Sequence, residues 1–472
     1  MHTNVGQAAL VLLAGTASAQ DATLPARETL LVRAEHVLVS PGRVLDGAQV
    51  LVRDGRIVAV GTDLEAPEGA RVVEGRWVCA GFIDPWSALG VGGDALSEVN
   101  ATAATRSIDG FDPFNLDHLR REALRAGVTS ARVQLGPQAR IGGQGAVVRL
   151  VPGLAPEEAI VSDASNLWMT AGLSLPSGQQ FVETADGVQM VSGDRAQDPF
   201  DRAESVERIV AALQSGKNYL IAQNEHRHEL EDWKKKVAEK DAELDKEFKK
   251  AKKDREKAQK EATEKDKKFE EKKFKDEKKP QAPRFDEDNE VIARAVDGRL
   301  PLFVGVERAA EIRSLLAGTE SLGRVRLVIA GGSEAGFQAS QLAERRIPVM
   351  VWPTPLGRSR PDELEAHDLS LAGRLASHGV TVLLGSGGRD PAATRDLPLL
   401  AGLAIAHGLS RDDAIEALTI GAARALDVAD RIGTVEAGKD ADLLVLDGPP
   451  LESTSTVRFT IASGRVVVTP EN

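Results

Sequence analysis

Between two β-rich ends, the sequence alternates short apolar runs with helical patterns. This alternation constrains the fold more than any other feature. Residues 78–83, 127–135, 146–151, 301–306, 325–330, 347–352 and 380–385 read as buried strands. Helical patterns follow several of them, at 309–316, 335–345 and 364–378. Such alternation over about 300 residues predicts an α/β chain with a parallel (β/α)8 TIM-like barrel. Residues 410–427 read as a further helix, with Ser410 as N-cap and Asp412 and Asp413 in its first turn.

The ends carry a different pattern. Residues 30–39 and 49–60 are β-prone, and Asp54-Gly55 sits where a hairpin turn is expected. Residues 432–447 and 457–468 resemble that segment. A small sheet domain built from both termini, with the barrel inserted between them, accounts for the pattern.

Charge is distributed unevenly. The 472 residues carry a net charge of −12, yet 19 of 21 lysines lie in residues 234–279, which alone are +6 and leave −18 elsewhere. The surrounding segment, 225–279, has no Gly or Pro and is rich in helix formers. Its charges pair acid-to-base at i, i+4, as in Glu231–Lys235 and Glu256–Lys260, and Pro280 and Pro283 end it. A helix of about 50 residues reaches about 75 Å. One reading is a solvated charged helix. The other is a coiled-coil arm for a protein partner, with a seam through Leu244, Phe248, Ala251, Ala258, Ala262 and Phe269.

Aromatic residues make up only 4%, which argues against a stacking platform for nucleic acid, and the acidic balance argues against a phosphate-backbone binder. Cys79 is the single cysteine, so an intrachain disulfide and a Cys-rich zinc site are excluded. At the start, the apolar run 8–14 precedes Ala17-Ser18-Ala19, an A-x-A cleavage pattern. It predicts a signal peptide, a mature start at Gln20 and a periplasmic or secreted protein. The run is too short to span a bilayer, and no other long apolar run occurs, so no membrane insertion is expected.

The two ends carry a resemblance. Residues 52–61 resemble the opening of the metal-dependent amidohydrolase superfamily, and Ala80-Gly81-Phe82-Ile83-Asp84 resembles its first barrel strand. Residues 417–426 and 432–447, with Gly438-Lys439-Asp440-Ala441-Asp442, resemble its closing segment, in the manner of the imidazolonepropionase-like branch. The resemblance implies a TIM-like barrel with a composite β-sandwich domain, and hydrolysis of non-peptide C–N bonds. The expected organisation is a signal peptide at 1–19 and sandwich at 20–79, then barrel at 80–224 and a charged helical insertion at 225–284. Barrel resumes at 285–430 and sandwich at 431–472. A homodimer is the assembly the family implies.

The family's chemistry uses one or two divalent ions, usually zinc, held by histidines and a carboxylate at strand ends. Here Trp86 and Ala88 stand at the H-x-H positions. Gly305 and Gly331 stand at the fifth- and sixth-strand histidines, and Gly387 at the eighth-strand aspartate. The only lysines outside the arm are Lys217, read as a helix end, and Lys439, so a carboxylated bridging lysine is not expected. No metal cofactor is expected.

Seven histidines follow the leader: His36, His118, His226, His228, His367, His378 and His407. Only His367 is a candidate for a pocket, its other reading being an ordinary surface residue. Glu307 and Glu334 follow the fifth and sixth strands and form either an acid–base pair or helix caps. Ser386 ends the eighth strand, with a hydrogen-bonding role or a site role. Trp352, Arg132, Arg308 and Arg389 are candidate linings of the former metal cavity for a small-molecule ligand in the barrel mouth. Trp86 either floors that cavity or fills it. The resulting expectation is an exported, catalytically degenerate amidohydrolase relative that binds or scaffolds. The alternative is an active amidohydrolase or lactonase with a relocated or reduced metal site.

Overall fold

The computed structural model describes residues 24–91, 101–114, 116–136, 139–171, 180–184, 187–191, 199–261, 278–353, 368–388 and 390–470. The expected signal peptide at 1–19, His367, Arg389 and the seam positions Ala262 and Phe269 lie outside the described residues.

The two termini build one sheet. Its strands run in the order Arg465–Val468, Val457–Ala462, Leu443–Leu446, Arg71–Ala80, Leu30–Ser40, Gln49–Arg53, Arg56–Gly61, with Arg43–Asp46 beside Leu30–Ser40. The join between termini is antiparallel, with Leu444 opposite Cys79 and Val445 opposite Val78. Branched residues from both ends, such as Val32, Val50, Ile57, Val445 and Ile461, form a common core. The Asp54-Gly55 turn has φ values of 53° and 80°. Positive φ at both central residues gives the right-handed twist of a two-residue hairpin, which Asp-Gly adopts at low cost.

The barrel strands, numbered in chain order, are β1 (Phe82–Ser87), β2 (Val128–Val133), β3 (Ile141–Arg149), β4 (Ile160–Thr170), β5 (Leu302–Val306), β6 (Leu327–Gly331), β7 (Val349–Val351) and β8 (Val382–Leu384). They hydrogen-bond in that order. β8 meets β1 through Ser386, whose backbone N–H donates to Asp84 Oδ1 at 3.1 Å and whose Oγ donates to the Trp86 carbonyl at 3.0 Å. The barrel is thus nearly closed. It departs from an all-parallel barrel at β3, which runs antiparallel to both neighbours. β4 was not among the expected strands, because Ser162, Asp163, Ser165 and Asn166 interrupt its apolar pattern.

The outer helices are α1 (Asp117–Arg125), α2 (Pro199–Glu261), α3 (Glu287–Val296), α4 (Ala309–Glu320), α5 (Ala339–Glu344), α6 (Leu371–Ser377), α7 (Leu397–Ala406), α8 (Arg411–Leu418) and α9 (Ile420–Ala425). Ser410 caps α8 by accepting from the Asp413 N–H at 3.0 Å. The helix expected through residue 427 breaks at Thr419, where φ is −128° and ψ −106°. None of the described helices is long and apolar enough to cross a membrane.

The charged arm is not a separate insertion beginning at residue 225. It continues a barrel helix that starts at Pro199. Val206, Ile209 and Leu213 are buried in the barrel core. Gly216 lets α2 approach α3 so closely that a Cβ there would lie 2.4 Å from Ile292 Cγ2. Among the described residues of α2, none beyond Gly216 is buried. Lys217 is mid-helix rather than at a helix end, and its Nζ donates to the Ser321 carbonyl at 2.6 Å.

Candidate functional site

The C-terminal ends of the parallel strands form the mouth, where barrel active sites lie. Strand register carries the five positions that the resemblance sets against metal ligands to that end. Trp86 is the penultimate residue of β1 and Ala88 follows that strand. Gly305 is next to last in β5, Gly331 ends β6, and Gly387 lies just past β8.

A tryptophan cluster occupies this region. The Trp86 ring stands edge-on to Trp352, with centroids 4.7 Å apart at 81°, and lies 5.3 Å from Trp168 of β4. Trp86 is 1% exposed. The glycines after β8 make room for it. A Cβ at Gly388 would lie 2.0 Å from Trp86 Nε1, and one at Gly385 would lie 3.1 Å from Trp86 Cβ. A Cβ at Gly387 would meet Trp352 instead, 3.7 Å from its Cγ. Of the two readings of Trp86, this geometry favours the one that fills the space.

Beneath the cluster lies a buried polar network that sequence reasoning had not assembled. Arg132 is fully buried inside the barrel and does not line a mouth cavity. Its Nε donates to Asn166 Oδ1 at 2.8 Å, Nη1 to the Pro85 carbonyl at 3.1 Å and Nη2 to Gln134 Oε1 at 2.8 Å. The guanidinium also lies 4.9 Å from the ring centroids of both Trp168 and Phe303, a favourable cation–π arrangement for a buried cation. Burial lowers its pKa to about 9 against the opposing pull of Asp84, so it stays charged at neutral pH.

Asp84 is equally buried. Its Oδ1 accepts from the N–H groups of Trp86 at 3.0 Å and Ser386 at 3.1 Å, while Oδ2 has no hydrogen-bond partner among the described residues. Burial pushes this carboxyl above the ordinary carboxylate value, against the bonds from Ser386 and Trp86. Ser87 Oγ and Thr394 Oγ1 share a 2.6 Å hydrogen bond alongside. The available signal was a charged residue, Asp84, within an otherwise apolar strand. An unpaired charge in such a run needs a buried partner.

The two glutamates bind backbone. Glu334 Oε2 accepts from the Ala309 N–H at 2.9 Å, capping α4, and Glu307 Oε2 accepts from the Ser333 N–H at 2.9 Å. Arg308 is the N-cap residue of α4, and its N–H donates to Glu311 Oε2 at 3.1 Å. The other histidines lie in the terminal sheet or the outer helices. His36 packs on Trp77 in the terminal sheet and His118 lies in α1. His226 and His228 lie in α2, and His378 and His407 end α6 and α7.

The residues present do not fit a family metal ion. Indole, methyl and glycine groups offer no lone pair to a divalent ion. Among the described residues, no group of three His, Cys, Asp or Glu side chains could hold one.

The amidohydrolase family profile matches residues 326–469. Over 174 residues the chain is 34% identical to imidazolonepropionases from two strains of Porphyromonas gingivalis, covering 35% of this chain and 37% of theirs. The alignment thus spans little more than a third of those curated relatives. Across 93% of its length the chain is similar to the crystal structure of an amidohydrolase from Thermotoga maritima, with 27% identity, all of that chain covered and a TM-score of 0.66. A. niger ochratoxinase shares the fold, at 16% identity, 94% and 96% coverage and a TM-score of 0.51. With the barrel and the sheet built from both termini, these likenesses support an amidohydrolase-superfamily protein. The matched third of the chain is similar to the imidazolonepropionase-like branch.

Proposed function

We propose that the chain is an exported amidohydrolase relative that has given up metal-assisted C–N bond hydrolysis and acts by binding or scaffolding. The observation that carries this reading is the Trp86 indole, which stands at the first histidine position and packs against the backbone of Gly388. A catalytic ion needs about three protein ligands and an open position for water. Restoring one ligand would therefore still leave an incomplete set beside a filled space. The A-x-A pattern at residues 17–19 supports export to the periplasm or medium. The exposed length of α2 supports a role as the contact element for a protein partner.

Metal analysis of the purified, dialysed chain tests the reading, with zinc well below one ion per chain expected. Stoichiometric zinc together with hydrolysis of an amide or lactone substrate would establish the alternative, an active enzyme with a relocated or reduced site.

A further inference from the structure

The opposite, N-terminal face of the barrel carries a feature unrelated to the mouth. A cavity of about 370 Å³ opens between the starts of β5 to β8 and helices α8 and α9. Four arginines line it: Arg326, Arg345, Arg346 and Arg424. Its floor is apolar and includes the buried side chains of Val328 and Ala425. Four guanidiniums around an apolar floor contrast with a chain of net charge −12.

Two of these charges are already matched. Arg326 pairs with Asp427 at 2.8 Å and Arg424 with Glu416 at 3.1 Å. The other two are not: Arg345 donates to the Leu316 carbonyl at 2.6 Å and to Thr319 Oγ1 at 3.4 Å. Arg346 has no ion pair or hydrogen bond from its side chain among the described residues. Its backbone adds an independent sign. Arg346 follows the C-terminus of α5 with φ at 53°, a position where glycine is the least strained residue. Holding a non-glycine residue there is strained, and the side chain so held lines the cavity.

We propose that this cavity binds a small organic phosphate, a phosphomonoester with an apolar body. A phosphomonoester carries close to two negative charges at neutral pH, which matches two guanidiniums without carboxylate partners. A carboxylate would neutralise only one. Arginine's planar fork suits phosphate oxygens, and the apolar floor receives the organic part.

Calorimetric titration of the full chain with phenyl phosphate, inorganic phosphate and benzoate at matched ionic strength tests this. Phenyl phosphate is expected to bind at least tenfold tighter than either of the others. Equal affinity for inorganic phosphate would overturn the organic body, and equal affinity for benzoate would overturn the dianion. In R346N, phenyl phosphate affinity should fall at least tenfold. Asparagine tolerates positive φ, so this variant keeps the backbone, and its thermal unfolding should match or exceed the wild type. Unchanged affinity in R346N, or no binding of phenyl phosphate to the wild type, would refute the site.

Discussion

At the scale of single residues, the mouth is decided by one pair, Trp86 and Gly388. In G388A the new methyl would lie 2.0 Å from the indole Nε1. Overpacking of this kind costs about 1–3 kcal/mol. Urea unfolding should show that loss in G388A, and a W86L background should recover the part due to the indole; the part due to the positive φ of Gly388, 66°, should remain. Equal losses in both backgrounds would mean that the glycine serves its own backbone and not the tryptophan. Asp84 makes a pH prediction. Its carboxyl titrates above the ordinary value when folded and near the ordinary value, about 3.9, when unfolded. Between those values the folded state holds more protons, so the group's contribution to stability falls as pH rises through that window. D84N lacks this slope. Its stability relative to the wild type should therefore rise as pH increases from about 4 upward, read from urea midpoints across the range. A constant difference at every pH would show that burial does not shift Asp84.

At the scale of elements, local signals were legible and long-range ones were not. The Asp54-Gly55 hairpin and the Ser410 cap were readable because each is fixed within a few neighbouring residues. The direction of β3 was not, because strand polarity depends on partners distant in sequence. The start of α2 was missed for another reason. The change in composition marks where lysines begin, whereas the helix begins where Val206, Ile209 and Leu213 face the barrel. The positions set against the family's ligands rest on the flanking motif residues alone, whereas the filling of the space around Trp86 needs Trp168 and Trp352 brought in from elsewhere in the chain. Glu334 belongs to this scale too. As the acceptor that caps α4, its loss in E334A should cost about 1 kcal/mol, measured by chemical unfolding. E334Q, which keeps an acceptor oxygen, should recover most of it. A catalytic role would instead be lost in both.

At the scale of the whole molecule, the barrel and the sandwich are joined by buried ions from the closing motif. Arg149 of β3 pairs with Asp440 and lies 3.7 Å from Asp442, and Arg431 meets Asp440 at 2.8 Å. Asp442 Oδ1 also accepts from the Ser463 N–H at 2.6 Å. Removing one partner of a buried set leaves uncompensated charge, so the two domains should unfold together. The arm stands outside this cooperative unit. Replacing residues 230–277 with a short Gly-Ser linker should leave the thermal midpoint close to that of the full chain. Extending the cut back to residue 204 removes Val206, Ile209 and Leu213 from the core and should abolish cooperative unfolding. A collapse after the shorter cut would mean that the exposed helix supports the barrel after all.

The unbroken course of α2 sets how that arm is aimed. A helix running from the barrel layer to Glu261 without a hinge behaves as a keyed shaft, so its distal side chains hold a fixed bearing relative to the barrel. Each residue advances about 1.5 Å and turns about 100°. Two residues added in the exposed stretch would swing everything beyond them through about 200°, whereas eighteen removed, five whole turns, would draw the tip in by about 27 Å with its bearing unchanged. Reach and bearing are therefore separable by the number of residues changed, and a partner gripping the shaft would feel each one differently.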